Sequence, residues 1–319
     1  MQRSDAAAMR DTLLRFAVLL FSLMGCIYFW GSWWCVPWFF VYGTLYGSPS
    51  DARWHKMGHG TAFKTQWMNA GIYQIASFMI MRNPTAWRWS HAQHHTDTII
   101  VGRDVEFALM RPPALLKWVL NYLGIVDSYL SLAVLLRQAI GVVSLDEQSY
   151  IPQQEQPKAI FAARVHILIY AITIDMALYY GSWLPLMIIG LPRLYGAWHN
   201  VLVGLLQHGE LADNVLDHRL DSRTVCMNPV SRFLYVNMNC HVEHHMFPMV
   251  PFHALPRLHE LIKNDLPKPN PSIWHAYREM VPVLLRQLRS EEFFLKRELP
   301  PTAKPYREEF YAVSPAPAE

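Results

Sequence analysis

Nine histidines fall in a pattern that could hold metal. His55 and His59 are four residues apart, His91, His94 and His95 form H-x-x-H-H, His241, His244 and His245 repeat that motif, and His208 stands alone. On a helix, positions i, i+3 and i+4 share one face, so each group would present its imidazoles in one direction. Imidazole is a good ligand for iron, zinc and copper. Any one group is equally well explained as a surface histidine cluster, but three together are not. Nine imidazoles exceed what one ion accepts and suit two ions with positions left for exogenous ligands. The zincin pattern H-E-x-x-H is absent, because Lys56 and Met57 follow His55. The Glu-x-x-His pattern of soluble di-iron bundles is absent too. Among Cys26, Cys35, Cys226 and Cys240 there is no C-x-x-C or C-x-x-H pair, which argues against a thiolate zinc site or a Rieske cluster in this chain.

The elements that must position these groups are apolar. Of 319 residues, 52% are hydrophobic and 17% charged, below the roughly 25% charged of an average soluble protein. Leu13 to Gly47 is nearly uncharged after Arg15 and too long for one span of about 20 residues. A break at Gly31-Ser32 would make it a hairpin. Ala159 to Gln207 reads likewise, with its tip at Gly181-Ser182. The expected fold is therefore an all-α integral membrane protein. It has four transmembrane helices in two hairpins (about 13–30, 33–47, 160–180 and 183–207) and a cytosolic helical cap carrying the histidine groups. Residues 1–12 form a cytosolic N-terminal segment, 13–260 the membrane domain and 261–319 a cytosolic C-terminal tail. Trp30, Trp33, Trp34 and Trp183 lie near the tips, where aromatic belts are expected. The tips carry no Lys or Arg, which places both termini and all histidine groups on the cytosolic side. Leu23-Met24-Gly25-Cys26 resembles a lipoprotein cleavage box, but apolar sequence continues past Cys26 and a retained span is expected.

Gln66 to Met81 and Ala114 to Val143 read as interfacial or core-packed helices. Ser144 to Lys158 reads as a loop and Tyr277 to Lys296 as a surface helix. His166 and Asp175 fall inside the third span near its ends. A net charge of +3 gives no argument for nucleic acid.

The run Asn239-Cys240-His241-Val242-Glu243-His244-His245-Met246-Phe247-Pro248, with Pro251, Leu255-Pro256 and His259 after it, resembles the third histidine box of membrane fatty acid desaturases. The eight box histidines and His208 reproduce that family's order and spacing over roughly residues 35 to 260, an arrangement that membrane alkane hydroxylases share. The resemblance implies a di-iron centre that uses O2 to remove hydrogen from an unactivated C–H bond. Its ligands would be His55, His59, His91, His94, His95, His208, His241, His244 and His245. Asp97, Asp104, Glu210, Asp213, Asn214 and Glu243 are candidates to orient imidazoles through their free N–H groups. His199 is a spare imidazole expected to be buried and hydrogen-bonded, and His218, His253, His259 and His275 are expected to be surface or structural.

The chain departs from the family in two places. Lys56 stands where many members carry an acidic residue. Gly204 stands where some relatives carry an asparagine that binds through water. No H-P-G-G cytochrome b5 motif and no Gly-rich nucleotide fingerprint is present. Electrons are therefore expected from a separate ferredoxin, a Rieske-type one among the candidates, and its reductase. The favoured reading is a desaturase acting on a fatty acyl chain in the lipid of a bacterial inner membrane. The alternative is a di-iron hydroxylase, monooxygenase or demethylase of an alkyl or small molecule, since similar bacterial members are associated with rhizopine catabolism. A third class is a membrane metal-binding or transport protein, which would be expected to place its ligands within the spans.

Overall fold

The computed structural model describes residues 1–106 and 112–307. Among them the chain is helical, and the bridges outside the helices are the isolated pairs Thr224–Cys240 and Val225–Asn270. Helix α1 (Asp5–Tyr28) starts at Ser4, whose side chain accepts from the Ala7 N–H. It returns as α2 (Cys35–Gly58) through a turn in which Gly31 takes φ +84°, conformational space that a side chain disfavours. Then follow α3 (Gln66–Met79), α4 (Pro84–Thr96), α5 (Leu115–Tyr122), α6 (Ile125–Ala139), α7 (Leu145–Tyr150) and α8 (Gln156–Tyr180). Beyond these come α9 (Leu184–Ile188), α10 (Pro192–Gly196), α11 (Trp198–Gly204), α12 (His218–Asp221), α13 (Pro229–Leu234), α14 (His241–Met246), α15 (Leu255–Ile262) and α16 (Ile273–Gln287).

Two helices are long and apolar enough to cross a membrane, Asp5–Tyr28 and Gln153–Tyr180. The pair α5–α6 would add one span if its 85° bend at Gly124 is taken as a break within it. Leu20, Phe21, Met24 and Ile27 of α1 and Phe161, Leu168, Ile172 and Leu178 of α8 stand exposed. An apolar exterior of that extent marks contact with lipid or another apolar surface.

The expected fourth span differs from the structure. Residues 183–207 form three short helices rather than one. Pro185 and Pro192 occupy helix starts and Gly190 takes φ +90°, so the intrahelical ladder is interrupted twice. The freed backbone groups find side-chain partners, as they must away from water. Tyr42 donates to the Ile188 carbonyl (2.9 Å), and Ser48 donates to the Gly196 carbonyl (2.7 Å) while accepting from the Asn200 N–H (2.9 Å). Gly43 and Gly47 on α2 admit this segment at backbone distance. A Cβ at Gly196 would lie 1.7 Å from the Gly43 oxygen. Small residues four apart serve such close approach of apolar helices.

Two other expectations change. Ser144–Lys158 is not all loop: Ser144 and Glu147 cap each other's backbone and start α7, a capping box legible as S-x-x-E. Ala114–Val143 is two helices, because Gly124 adopts φ +61° between them. The surface helix expected at 277–296 runs Ile273–Gln287 and buries Ala276, Met280, Val283 and Leu284. The chain beyond residue 261 packs back on the fold: Arg219 donates to the Lys304 carbonyl and the Leu295 N–H to that of Glu210. Residues 308–319 of that tail lie outside the described residues.

Candidate metal centre

Three helices bring the boxes together. The C-terminal end of α2 carries His55 and reaches His59. On α4, Asn83 caps the first turn by accepting from Thr85 and Ala86, with Pro84 at the first helical position. That cap sets where His91, His94 and His95 project. The short α14 carries the third box and ends at Phe247-Pro248. Trp87 stacks on His91 with ring centroids 4.1 Å apart. Gly58 makes room for this indole, since a Cβ there would lie 2.3 Å from it.

The imidazoles form two groups. Ring nitrogens of His55, His59, His91, His95 and His244 lie within 4.8 Å of one another, as do those of His94, His208 and His245. His241 adjoins the second group, with Nε2 2.9 Å from His208 Nε2 and 3.1 Å from His245 Nε2. In the first group, His55 and His244 Nε2 are 2.7 Å apart, and His91 Nε2 is 3.0 Å from His59 and 3.1 Å from His95. Two nitrogens bound at right angles to one ion at about 2.1 Å are separated by about 3.0 Å.

The outward nitrogens show that a cation fits between the inward ones. His91 Nδ1–H donates to Glu106 (2.8 Å), His94 Nδ1–H to Asp104 (2.8 Å) and His208 Nδ1–H to the Asp221 carbonyl (2.9 Å). Thr98 donates its own hydroxyl proton to the His94 carbonyl and so accepts from His245 Nδ1–H (3.2 Å). In each ring the proton is held outside and the Nε2 lone pair points inward. Lone pairs facing each other at 3 Å repel unless an ion lies between them. Acceptors behind ligating imidazoles are the usual supporting shell of a metal site.

The electrostatics agree. Burial, reinforced by neighbouring imidazoles, holds His55, His59, His95, His241, His244 and His245 far below the usual histidine range, and burial brings His208 to about 3. His91 is lowered by burial against the pull of Glu106. Burial also opposes charge on His94, but its bond to Asp104 outweighs that and leaves it raised. Neutral imidazoles are the ligating form. Lys56 is buried with Nζ 2.6 Å from His244 Nδ1, and burial brings its ammonium down to about 7. As a neutral amine, Lys56 accepts from His244 Nδ1–H and leaves Nε2 free for an ion.

All nine expected histidines thus converge, whereas the expected orienting residues are only partly placed. Asp104 orients His94, and Asp97 instead pairs with Arg103 (2.7 Å). Glu210 pairs with the buried Arg223. Asn214 accepts from the Val101 N–H, and Asp213 lies beside it. Glu243 accepts from Thr224 (2.6 Å) and from His259. The residue that sequence reasoning missed is Glu106, which also accepts from Trp87 Nε1 (3.1 Å). His218, expected at the surface or in a structural role, is buried with its ring 5.2 Å from that of His245, and its Nε2 accepts from Arg307 (2.8 Å). His199 is buried 3.3 Å from Ser231 and belongs to neither group. His166 is buried against Phe78, also apart from the centre. His275 is exposed and bonded to Ser272.

A family model described as fatty acid desaturase matches residues 31–277, more than half of the chain. The chain belongs to the fatty acid desaturase family. No curated protein matches it. The match spans every box histidine and both orienting carboxylates, Asp104 and Glu106. Membership makes the chain a desaturase- or hydroxylase-type oxidoreductase, in keeping with helices long and apolar enough to span a membrane.

Proposed function

We propose that this desaturase-family chain binds two irons through the nine histidines and uses O2 to take hydrogen from an unactivated C–H bond. The inward Nε2 lone pairs, fixed by acceptors behind the rings, carry this reading. Bound there, iron supplies the oxidising power. The protein's own part is to keep protons on Nδ1 of His91, His94, His208 and His245, and to wall the centre with Trp54, Trp87 and Met57, which are buried. Electrons come from a separate ferredoxin and reductase, because the chain carries neither a nucleotide fingerprint nor a cysteine cluster. The centre and both termini face the cytosol of a bacterial inner membrane, in line with the uncharged hairpin tips.

Family membership supports a fatty acyl chain as substrate and loss of a second hydrogen to give a double bond. Hydroxylation or demethylation of a small molecule on the same centre is favoured by one observation: the cavity that His55 lines is walled by charged side chains. Product analysis of membranes supplied with ferredoxin, reductase, O2 and fatty acids separates the two. A product lighter by two hydrogens supports acyl desaturation, and one heavier by an oxygen supports hydroxylation. Rapid turnover with NAD(P)H and no protein donor would contradict the separate-donor assignment.

A further inference from the structure

Trp87 lies over His91 with ring centroids 4.1 Å apart and 17° between the planes, and the two rings share a carboxylate. His91 Nδ1–H donates to Oε2 of Glu106 (2.8 Å) and Trp87 Nε1–H to Oε1 (3.1 Å). A carboxyl group that accepts on both oxygens is the ionised form. Indole, carboxylate and imidazole thus close a triangle of contacts at the edge of the first histidine group. Two more aromatic rings touch this indole, Trp54 with centroids 3.6 Å away and Tyr73 at 6.0 Å. A guanidinium lies over each, Arg82 over Trp54 at 5.1 Å and Arg88 over Tyr73 at 5.0 Å. A cation on a ring's face opposes removal of an electron from that ring, because the charge left behind is repelled. Asp127 offsets part of the Arg82 charge (2.8 Å). Yet the Trp54 N–H has no acceptor among the described residues, and the Tyr73 hydroxyl donates only to the Pro84 carbonyl (2.5 Å). Of the three rings, Trp87 is the one whose N–H rests on an anion, and it is buried, where that charge is little screened. Trp87 and Glu106 also line a surface cavity of about 390 Å³ with no histidine in its described wall. The indole is therefore accessible without passing the imidazoles.

We propose that Trp87 is a one-electron relay to the metal centre. When the oxidised iron pair meets no substrate C–H bond, it takes an electron from this indole through His91, and the ferredoxin-class donor refills the indole. The inference rests on the di-iron reading for its oxidant and on the Trp87–Glu106–His91 triangle for its path. One electron leaves the ring, which becomes a radical cation, and the iron pair is reduced by one electron. No bond breaks. The Nε1 proton stays in its bond to Glu106, whose negative charge balances the cation. An electron from the donor protein restores the neutral ring, so an unproductive turn consumes reductant instead of oxidising the histidines.

The test is electron paramagnetic resonance on the purified full chain, loaded with iron, chemically reduced, mixed with O2 in the absence of substrate and rapidly frozen. The wild type should show an organic radical whose lines narrow when the protein is made with ring-deuterated tryptophan. Trp87→Phe should lose that signal and Trp54→Phe should keep it, with iron per chain equal in all three proteins. Trp87→Tyr should replace it by a tyrosyl radical that ring-deuterated tyrosine narrows. An iron-loaded wild type without a radical, a radical that deuterated tryptophan leaves unchanged, or one that survives in Trp87→Phe or vanishes in Trp54→Phe would overturn the relay while leaving the iron count intact. Fewer than two irons in the wild type would strike the di-iron reading, and the relay with it.

Discussion

The two histidine groups sit side by side but are built differently. The first gathers five imidazoles from α2, α4 and α14, with Glu106 and Lys56 behind them. The second gathers three, with His241 adjoining, from α4, the turn after α11 and α14, and rests on Asp104, the Asp221 carbonyl and Thr98. The first adjoins the polar cavity through His55, whereas the second lies against His218 and the returning C-terminal segment. On the proposed di-iron reading, the fuller ligand set on the cavity side would hold its ion more firmly than the sparser one behind it.

The largest expected effect comes from removing a ligand of either group. His244→Ala takes a ligand from the first group, and His94→Ala one from the second. Both should abolish activity and lower bound iron, measured by metal analysis of purified protein. Full activity in both variants would end the di-iron assignment. A smaller and more selective effect should come from the supporting carboxylates. Asp104→Asn should weaken only the second ion and Glu106→Gln only the first, each by about 10–100-fold in affinity. Equal loss of both ions in both variants would dissolve the distinction between the groups.

Acid should separate the ions as well. His94 is the box imidazole whose proton affinity is raised, while those of the first group are all lowered. A raised pKa means protonation at higher pH, so protons compete for the second site first as pH falls. Iron per chain, followed from about pH 8 to about pH 5 across the ordinary histidine pKa near 6.5, should step from two toward one before falling further. The smallest effect concerns the scaffold. Asn83→Ala removes the α4 cap and the buried amide's bonds to Gln138 and the Ala159 carbonyl, and should lower stability by at least about 1 kcal/mol, read as a shift in thermal unfolding.

The boxes were legible because helical spacing puts their imidazoles on one face, and that logic needs only local sequence. The carboxylates behind them were legible only in part: Asp104 stood among the candidates, but Glu106 was missed, because the segment after α4 has no period to announce direction. Asp97 drew attention by standing next to the second box, yet it sits at the α4 C-cap and turns toward Arg103. The first hairpin tip was marked by Gly31 and the second by Gly181, which ends α8 at φ +56°. The break in 183–207 was also written in the chain, as Pro185, Gly190 and Pro192, but hydropathy alone does not see it. Buried Arg193 within that stretch was the clearest sign that its surroundings were not lipid.

The account stands most directly on metal analysis of the purified full-length chain, with iron and zinc counted per polypeptide before and after a chelator. Two irons per chain, the second removed more readily than the first, is the predicted result. Readily exchangeable zinc, or a single tightly held ion, would contradict it.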